Sequence, residues 1–178
     1  MTKPTDVSGP REPYFLTLQE ALFSAGIATP TLVIALSELM PDANQLLGKP
    51  LPVRAAQTYF DVLPASQSDA ADNIQWLIDT PERLDQYSVL ADTIDRSLAI
   101  NIELDVGLHR GGFTAGTELR LALEKIRASN RLKLSGFMGY EPHLPALPET
   151  LGWRERAKLG AWRAYGDALA LAGEVYSE

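Results

Sequence analysis

The chain contains no cysteine, so disulfides, thiolate metal sites and a catalytic thiol are excluded. Positive charge is also scarce, because 16 lysine and arginine residues stand against 23 aspartate and glutamate residues, a net charge of -7. Nucleic acids and anionic membranes favour a basic face, so neither is expected as a partner. No run of about 18 apolar residues, as a membrane-spanning helix needs, is present. Residues 1–13 lack a signal-peptide core, and a cytoplasmic location is expected.

The rest of the sequence predicts one α/β domain over 14–178, behind a polar, proline-rich leader at 1–13 that is expected to be disordered. Apolar spacing predicts a helix over 14–25 and a strand over 31–36, followed by strand–helix alternation. The predicted strands are 45–48, 74–78, 98–106 and 132–138, the predicted helices are 52–63, 83–94, 118–129 and 154–175 (the last as one helix or two), and the loops are 64–72 and 142–148. This order predicts a parallel sheet with outer helices, either open or closed into a barrel.

Polar residues follow the strand predicted at 98–106. By alternation Glu103 and Asp105 point to one face, and His109 and Arg110 come next, ahead of a glycine pair at 111–112 that suits a close backbone turn. In parallel α/β folds, functional residues collect at the carboxyl ends of strands. The plain structural interpretation is a set of ion pairs at the rim of the sheet.

A second polar group follows the next predicted strand. Tyr140, Glu141 and His143 lie within four residues, between Gly139 and a proline-rich loop. These are acid–base side chains, and both histidines of the chain come directly after strands that we expect to be adjacent.

Three interpretations of these two groups remain open on spacing alone. Their three carboxylates are compatible with a barrel glycosidase, which works with a pair of such groups. The same carboxylates and the two histidines are compatible with a divalent metal. Arg110 and Tyr140 are compatible with an anionic aromatic cofactor. No glycine-rich phosphate fingerprint follows a strand, which disfavours dinucleotide and P-loop sites.

Two segments resemble a known family. INIELDVGLHRGGF at 100–113 and LSGFMGYEPHL at 134–144 resemble two consecutive strand–loop motifs of D-threonine aldolases and their relatives. TPTLVI at 29–34 is similar to the segment that opens their barrel, and IDTPERL at 78–84 is similar to a strand-to-helix corner. The resemblance covers most of 14–148. It implies a pyridoxal-phosphate enzyme of fold type III, built like the alanine racemase N-terminal domain as a (β/α)₈ TIM-type barrel, in the D-threonine aldolase and D-serine dehydratase-like branch.

The resemblance also implies roles for individual residues. Arg110 matches the arginine on the phenolic-oxygen side of pyridoxal 5'-phosphate, a role that suits a permanently charged guanidinium with fixed donors. Tyr140 and His143 match positions beside the cofactor ring and the substrate. The implied rim or substrate positions are His109, Asp105, Glu103 and Glu141. The implied activity is that of a lyase or racemase on a small-molecule amino acid, a D-3-hydroxy amino acid.

The Schiff-base lysine of that family has no evident counterpart here. It stands at the end of the first barrel strand, where it holds the cofactor covalently. Between the segment at 29–34 and the strand at 45–48 there is no room for that strand. Lys49 is the only lysine that follows a strand end, and it is interpreted as a solvated turn residue.

The resemblance therefore predicts an incomplete barrel. A complete barrel takes about 250 residues, so the chain is expected to be internally deleted, C-terminally truncated and inactive by itself. The alternative is a non-catalytic remnant or binding module whose open barrel edges lead to a homodimer or to aggregation.

Overall fold

Strands and helices alternate along residues 29–177, the part of the chain that the computed structural model describes. The leader expected at 1–13 and the helix expected at 14–25 lie outside the described residues. In chain order the elements are α1 (Thr29–Leu39), β1 (Gln45–Leu46), α2 (Val53–Val62), a 3₁₀ helix (Ala65–Asn73), β2 (Ile74–Ile78), α3 (Pro81–Thr93), β3 (Leu98–Leu104), α4 (Thr117–Ala128), β4 (Leu132–Gly139), a short 3₁₀ helix (Thr150–Gly152) and α5 (Trp153–Ser177).

The four strands form one parallel sheet in the order β1-β2-β3-β4. The predicted α/β class, with parallel strands joined by helices, is confirmed. Within the described residues β1 and β4 are the two outer strands of this sheet. Self-association through these outer strands stays a prediction. None of the described helices is long and apolar enough to cross a membrane.

An aromatic cluster joins the sheet to its helices. Trp76 of β2 is fully buried, and its ring lies 5.8 Å from that of Tyr59, 5.5 Å from that of Phe60 and 5.7 Å from that of Tyr87. The first two partners belong to α2 and the third to α3. Edge-on and tilted ring pairs of this kind add to the free energy of apolar burial. The cluster fixes both helices on one side of the sheet.

The start of α3 is capped by Thr80. The Thr80 side chain accepts a hydrogen bond of 3.2 Å from the backbone amide of Arg83, and Pro81 occupies the first helical position. The Arg83 guanidinium and the Tyr87 hydroxyl both donate to the carbonyl of Leu51, at 3.0 and 2.9 Å. These bonds tie α3 to the segment that precedes α2.

The strand predicted over 31–36 is wrong, because these residues belong to helix α1. Val33 and Ser37 are buried one helical turn apart, and the Ser37 hydroxyl lies 2.9 Å from the Tyr59 hydroxyl. Periodicity does not separate a short apolar run in a strand from one in a buried helix. The proline at position 30, in the first turn, was a helix signal. Residues 29–34 therefore do not form a strand, and the internal deletion stays a prediction.

Smaller differences concern element ends. The loop predicted at 64–72 is a 3₁₀ helix, because Ala70 and Ala71 pack into the protein instead of staying in solvent. Strand β1 ends at Leu46, not at position 48, and β3 ends at Leu104, not at position 106. The final helix is a single element of 25 residues with no internal proline to break it.

We predict that stability is sensitive to truncation of the buried Trp76 and insensitive to truncation of the exposed Trp153. Trp76→Ala removes the centre of the aromatic cluster and should lower the free energy of unfolding by about 3–5 kcal/mol. Trp153→Ala is the matched control, because that side chain is 54% exposed at the start of α5 and should change stability by about 0.5 kcal/mol or less. Denaturant unfolding followed by circular dichroism measures both values. Equal losses would contradict this assignment of the core.

Candidate functional site

Two loops leave the same edge of the sheet side by side. Strands β3 and β4 pair in parallel, with Leu104 opposite Gly139. The first loop (residues 105–112) follows β3, and the second loop (residues 140–149) follows β4. The prediction that both histidines come after adjacent strands is therefore confirmed.

Backbone hydrogen bonds close the base of the first loop. The amide of Phe113 donates to the carbonyl of Glu103 at 2.8 Å, and the amide of Asp105 donates to the carbonyl of Phe113 at 3.0 Å. Gly112 lies in this closed base and has a φ angle of +97°. A Cβ atom at this position would lie 2.8 Å from the backbone nitrogen of Asp105. Only glycine suits that position.

The Asp105 carboxylate organises the tip of the first loop. One oxygen accepts hydrogen bonds of 3.0 Å from the amides of Gly107 and His109, and the other lies 2.6 Å from Nδ1 of His109. His109 has φ +54°, an uncommon backbone conformation that these bonds support. Burial by itself would raise the pKa of Asp105, but the hydrogen bonds from Gly107 and His109 outweigh it, so this pKa lies below its ordinary value.

An ion pair between the first loop and the end of β3 positions an arginine beside the second loop. The Glu103 carboxylate is only 3% exposed, and it binds the Arg110 guanidinium, which is 29% exposed. A buried carboxylate is costly without a cationic partner, so this pair fixes the arginine. The guanidinium carbon lies 4.6 Å from the centre of the Tyr140 ring, within cation–π distance. The two sequence motifs therefore meet at Arg110 and Tyr140.

His143 also faces the first loop. Its Nε2 atom lies 3.6 Å from the point that a Cβ atom on Gly107 would occupy. Its Nδ1 atom is buried and has no hydrogen-bond partner among the described residues. Such an atom has an unused hydrogen-bonding capacity that a bound molecule can satisfy.

Helix α5 binds the second loop and the end of β4, a contact that the sequence analysis did not predict. The amide of Gly139 donates to the Tyr165 hydroxyl oxygen at 2.6 Å, and the Arg154 guanidinium donates to the carbonyls of Leu147 at 2.8 Å and Pro145 at 3.1 Å. Burial raises the pKa of Tyr165 above its ordinary value. The hydrogen bond from Gly139 lowers this pKa by a smaller amount, and the neighbouring Glu141 carboxylate raises it again. A tyrosine within the Ala- and Leu-rich final helix was the only available signal.

Two further residues lie at this edge of the sheet. Asp79 follows β2, pairs with Arg83 at 2.6 Å, and has a carboxylate oxygen 3.8 Å from where a Cβ atom on Gly111 would lie. In the sequence it belonged only to the segment at 78–84 that resembles a strand-to-helix corner. Lys49 follows β1 and is at the same edge, because all four strands are parallel.

The site does not bring the carboxylates and histidines together as a metal centre. Among the described residues, no three of the histidine, aspartate and glutamate side chains are close enough to hold a metal ion. Glu103 is paired with Arg110, Asp105 with His109, and Glu141 is hydrogen-bonded to Tyr165. The glycosidase interpretation needs two carboxylates facing a shared substrate. This arrangement favours the interpretation with an anionic aromatic ligand at Arg110.

Comparison with known proteins identifies the family of this chain. The family model for the alanine racemase, N-terminal domain, matches residues 15–171. The chain belongs to this family. No curated protein sequence matches it.

Solved alanine racemases share the fold of this chain. An alanine racemase from Clostridium difficile 630 is 15% identical with a TM-score of 0.61, and the match covers 88% of this chain and 41% of that one. An alanine racemase from Corynebacterium glutamicum is 20% identical with a TM-score of 0.55, and the match covers 83% of this chain and 37% of that one. The chain thus spans about two fifths of the length of these enzymes.

The match to the alanine racemase N-terminal domain agrees with the predicted partial barrel. The parallel sheet and its outer helices are part of a TIM-type barrel, as the resemblance implied. The family is dependent on pyridoxal 5'-phosphate, which agrees with the cofactor expected from the motifs. The racemase relatives do not distinguish the D-threonine aldolase branch from others within the family.

We predict that the first loop tolerates alanine at Gly111 but not at Gly112. Gly112→Ala should destabilise the protein by about 2 kcal/mol or more, because positive φ and backbone contact below 3 Å coincide there. At Gly111 a Cβ atom meets Asp79 at an ordinary distance, so Gly111→Ala should cost about 0.5 kcal/mol or less. Thermal unfolding of both variants measures this difference. Similar losses in the two would be inconsistent with the closed loop.

We also predict that Asp105 makes stability depend on pH. The pKa of Asp105 is lower in the folded protein than in the unfolded chain, where an aspartate has a pKa of about 4. The charged carboxylate therefore stabilises the fold at pH values above about 4, and this stabilisation is lost as the pH falls through the folded-state pKa. Asp105→Asn should reduce the free energy of unfolding by about 1–2 kcal/mol at neutral pH. The gap to the unmodified chain should narrow as the pH falls.

The measurement is denaturant unfolding of both proteins at several pH values. Asp61→Asn on α2 is the control, because that carboxyl group is exposed and hydrogen-bonded only to Gln57 in the part of the chain described. Its difference from the unmodified chain should stay small at every pH. A constant gap for Asp105→Asn would show that the carboxylate charge does not hold the loop.

Proposed function

We propose that this chain provides the ring-holding side of a pyridoxal 5'-phosphate site, in an enzyme that acts on an amino acid. The observation that carries the proposal is the Arg110 guanidinium, which Glu103 fixes next to the Tyr140 ring where β3 and β4 end. Pyridoxal phosphate is both anionic and aromatic, and this edge of the sheet presents a fixed cation with an aromatic side chain beside it.

Arg110 has the donors that the cofactor needs. A guanidinium has five N–H groups in a fixed fork and keeps its charge at all relevant pH values. The contact to Glu103 uses one edge of that fork, and the partial exposure of Arg110 leaves room for the phenolic oxygen of a bound ring. Glu103 acts here as a positioning residue, because its burial prevents the arginine from turning toward solvent.

The residues of the second loop fit the same ligand. The buried Nδ1 atom of His143 lacks a partner among the described residues, and Tyr140 offers its ring next to the arginine. Both belong to a loop that Arg154 and Tyr165 tie to α5, so their positions are set before a ligand arrives. When bound, pyridoxal phosphate draws off the electrons that remain as a bond at Cα of an amino acid breaks.

None of the described lysines lies beside Arg110, where it could hold the cofactor covalently. Of the lysines in the described residues, Lys125 and Lys158 are on helices and Lys133 is near the start of β4, at the opposite edge of the sheet. Lys49 follows β1, two strands and so about 10 Å from β3. We infer that the chain by itself binds the cofactor without a covalent bond and does not turn over a substrate.

The substrate class that we propose is a D-3-hydroxy amino acid. Support comes from the motifs at 100–113 and 134–144, which resemble those of D-threonine aldolases. Adding D-threonine, D-serine and D-alanine to the chain loaded with pyridoxal phosphate tests this choice, because a bound amino acid changes the visible absorbance of the cofactor. A response to D-alanine alone would favour the racemase branch instead.

We predict that Arg110 controls cofactor affinity. Arg110→Ala should raise the dissociation constant for pyridoxal phosphate about ten- to hundredfold, the effect of losing hydrogen bonds to a charged group. Arg110→Lys should recover only part of the affinity, since it keeps the charge but loses the fork. Absorbance titration measures all three constants. Arg131→Ala is the control, because this arginine pairs with Asp92 and Asp95 at the opposite edge of the sheet and should leave the affinity unchanged.

Borohydride reduction followed by peptide mass analysis tests the missing lysine. We expect no reduced adduct on any lysine of the loaded chain. A stoichiometric adduct on Lys49, lost in Lys49→Ala, would overturn the inference of non-covalent binding but not the site itself. Equal affinities of the chain and Arg110→Ala would overturn the site.

A further inference from the structure

A cavity of about 320 Å³ lies between the second loop and helix α5, and we call it the α5 cavity. Its volume is in the range of small-molecule sites. The loop contributes Glu141 and Leu144 to the lining, and the helix contributes Lys158, Trp162, Tyr165 and Leu169. Since these helical positions are three or four residues apart, they lie on one face of α5. The loop forms one wall of the cavity and this helix face forms the other.

The α5 cavity is separate from the site at Arg110. Among the described residues, its lining includes neither Tyr140 nor His143 and no residue of the first loop. Tyr140 and Glu141 are neighbours in the chain, but the Tyr140 ring lies beside Arg110, whereas Glu141 is hydrogen-bonded to Tyr165 of α5. The second loop therefore lies between the site and the cavity.

The walls of the α5 cavity are mainly apolar. Leu144 is buried, while Trp162 and Leu169 are 73% and 60% exposed. The Trp162 ring lies 6.3 Å from that of Tyr165, so the helix wall has two aromatic side chains. Large apolar side chains that are exposed beside a cavity are typical of ligand-binding grooves. A ligand with a large apolar group would remove this surface from water.

Two charged groups of opposite sign line the same cavity. The amide of Gly139 donates to the Tyr165 oxygen at 2.6 Å, so the Tyr165 hydroxyl proton is free to bind the Glu141 carboxylate. A carboxylate accepts about four hydrogen bonds, and Glu141 therefore keeps acceptor capacity for a ligand. Lys158 pairs with Glu155 at 2.8 Å and keeps further N–H donors. No ion pair within the described part of the chain joins Lys158 to Glu141.

We propose that the α5 cavity binds an α-amino acid with a large apolar side chain. The ammonium group of this ligand binds Glu141, and its carboxylate binds Lys158. Its side chain packs against Leu144, Trp162 and Leu169. Hydrogen bonds between charged groups are stronger than neutral ones, and a zwitterion supplies both signs of charge in one small molecule. A ligand with a single charge would satisfy only one of the two groups.

Binding at the α5 cavity does not require the cofactor, although the second loop is shared. Because Glu141 directly follows Tyr140, a ligand that holds Glu141 restrains the loop that carries Tyr140 and His143. Any effect on the cofactor would rest on the proposed function, whereas binding at the cavity does not.

Isothermal titration calorimetry of the full chain without pyridoxal phosphate tests the proposal. L-Phenylalanine should bind saturably at millimolar concentrations. Phenethylamine lacks the carboxylate, hydrocinnamate lacks the ammonium group and L-alanine lacks the large side chain, so each should bind at least tenfold more weakly. No saturable binding of L-phenylalanine would overturn the proposal. Equal binding of phenethylamine or hydrocinnamate would overturn the choice of a zwitterion.

Two variants test the charged contacts. Glu141→Gln should weaken binding of L-phenylalanine at least tenfold, and it keeps an acceptor for Tyr165. Lys158→Met should remove the preference for L-phenylalanine over phenethylamine. Asp167→Asn is the matched control, because this exposed residue of α5 lies on the opposite side of the helix from Lys158. Circular dichroism melting checks that each variant is folded. Unchanged affinity in folded Glu141→Gln and Lys158→Met would overturn the site.

The fluorescence of Trp162 reports the position of the ligand. In the Trp153→Phe variant the remaining tryptophans are Trp162, which is 73% exposed, and the fully buried Trp76. L-Phenylalanine on the Trp162 ring should shift the emission of this variant to shorter wavelength. No shift at a saturating concentration would contradict binding in the α5 cavity.

Arg110→Ala distinguishes this proposal from the proposed cofactor site. The variant should bind L-phenylalanine as the unmodified chain does, while its affinity for pyridoxal phosphate falls. Loss of L-phenylalanine binding in Arg110→Ala, with binding kept in Glu141→Gln, would place the amino acid at Arg110 and overturn the α5 cavity alone. Binding of L-phenylalanine that follows the predictions above would support the cavity even in a chain that does not bind pyridoxal phosphate.

Discussion

The parallel pairing of β3 with β4 brings together two loops that are separated in the sequence by a whole helix. Leu98 to Leu104 runs beside Leu132 to Gly139, and both strands end at the same edge of the sheet. Each loop by itself has an unremarkable set of charged and aromatic side chains. Placed side by side, they give a guanidinium 4.6 Å from an aromatic ring and a histidine against a glycine of the facing loop. Any change that separates the two strand ends would remove the site.

Within that pairing, the buried Glu103 carboxylate determines what the site can bind. A carboxylate that is 3% exposed must be matched by a cation, and Arg110 is the partner that the first loop supplies. The loop has to return close to the strand for this contact, which explains the glycine at 112 and the turn around Asp105. The same pairing takes Glu103 away from acid–base chemistry. The partly exposed arginine is thus left as the charged group of the proposed site, which favours an anionic ligand over a metal at this end of the sheet.

The sequence predicted the elements whose local signals and tertiary surroundings agree. The prediction of strand β2 was correct at both ends, because an apolar run is followed closely by the capping Thr80 and the helix-starting Pro81. Helix α1 was missed, because Thr31 to Leu36 is as compatible with a buried helix as with a strand, and burial against Tyr59 decided it. The meeting of Arg110 and Tyr140 followed from motif order and strand adjacency. The roles of Arg154 and Tyr165 could not be predicted, because they depend on a helix that begins after the second loop and folds back to bind it.

Helix α5 ties the second loop to the rest of the fold. Its buried face carries Ala161, Ala168 and Val175, and Tyr165 and Arg154 of the same helix bind the backbone at the end of β4 and in the second loop. Tertiary packing of one face, more than helix propensity, stabilises a helix in a protein. The arrangement of Tyr140 and His143 therefore depends on the packing of a helix that follows them in the sequence.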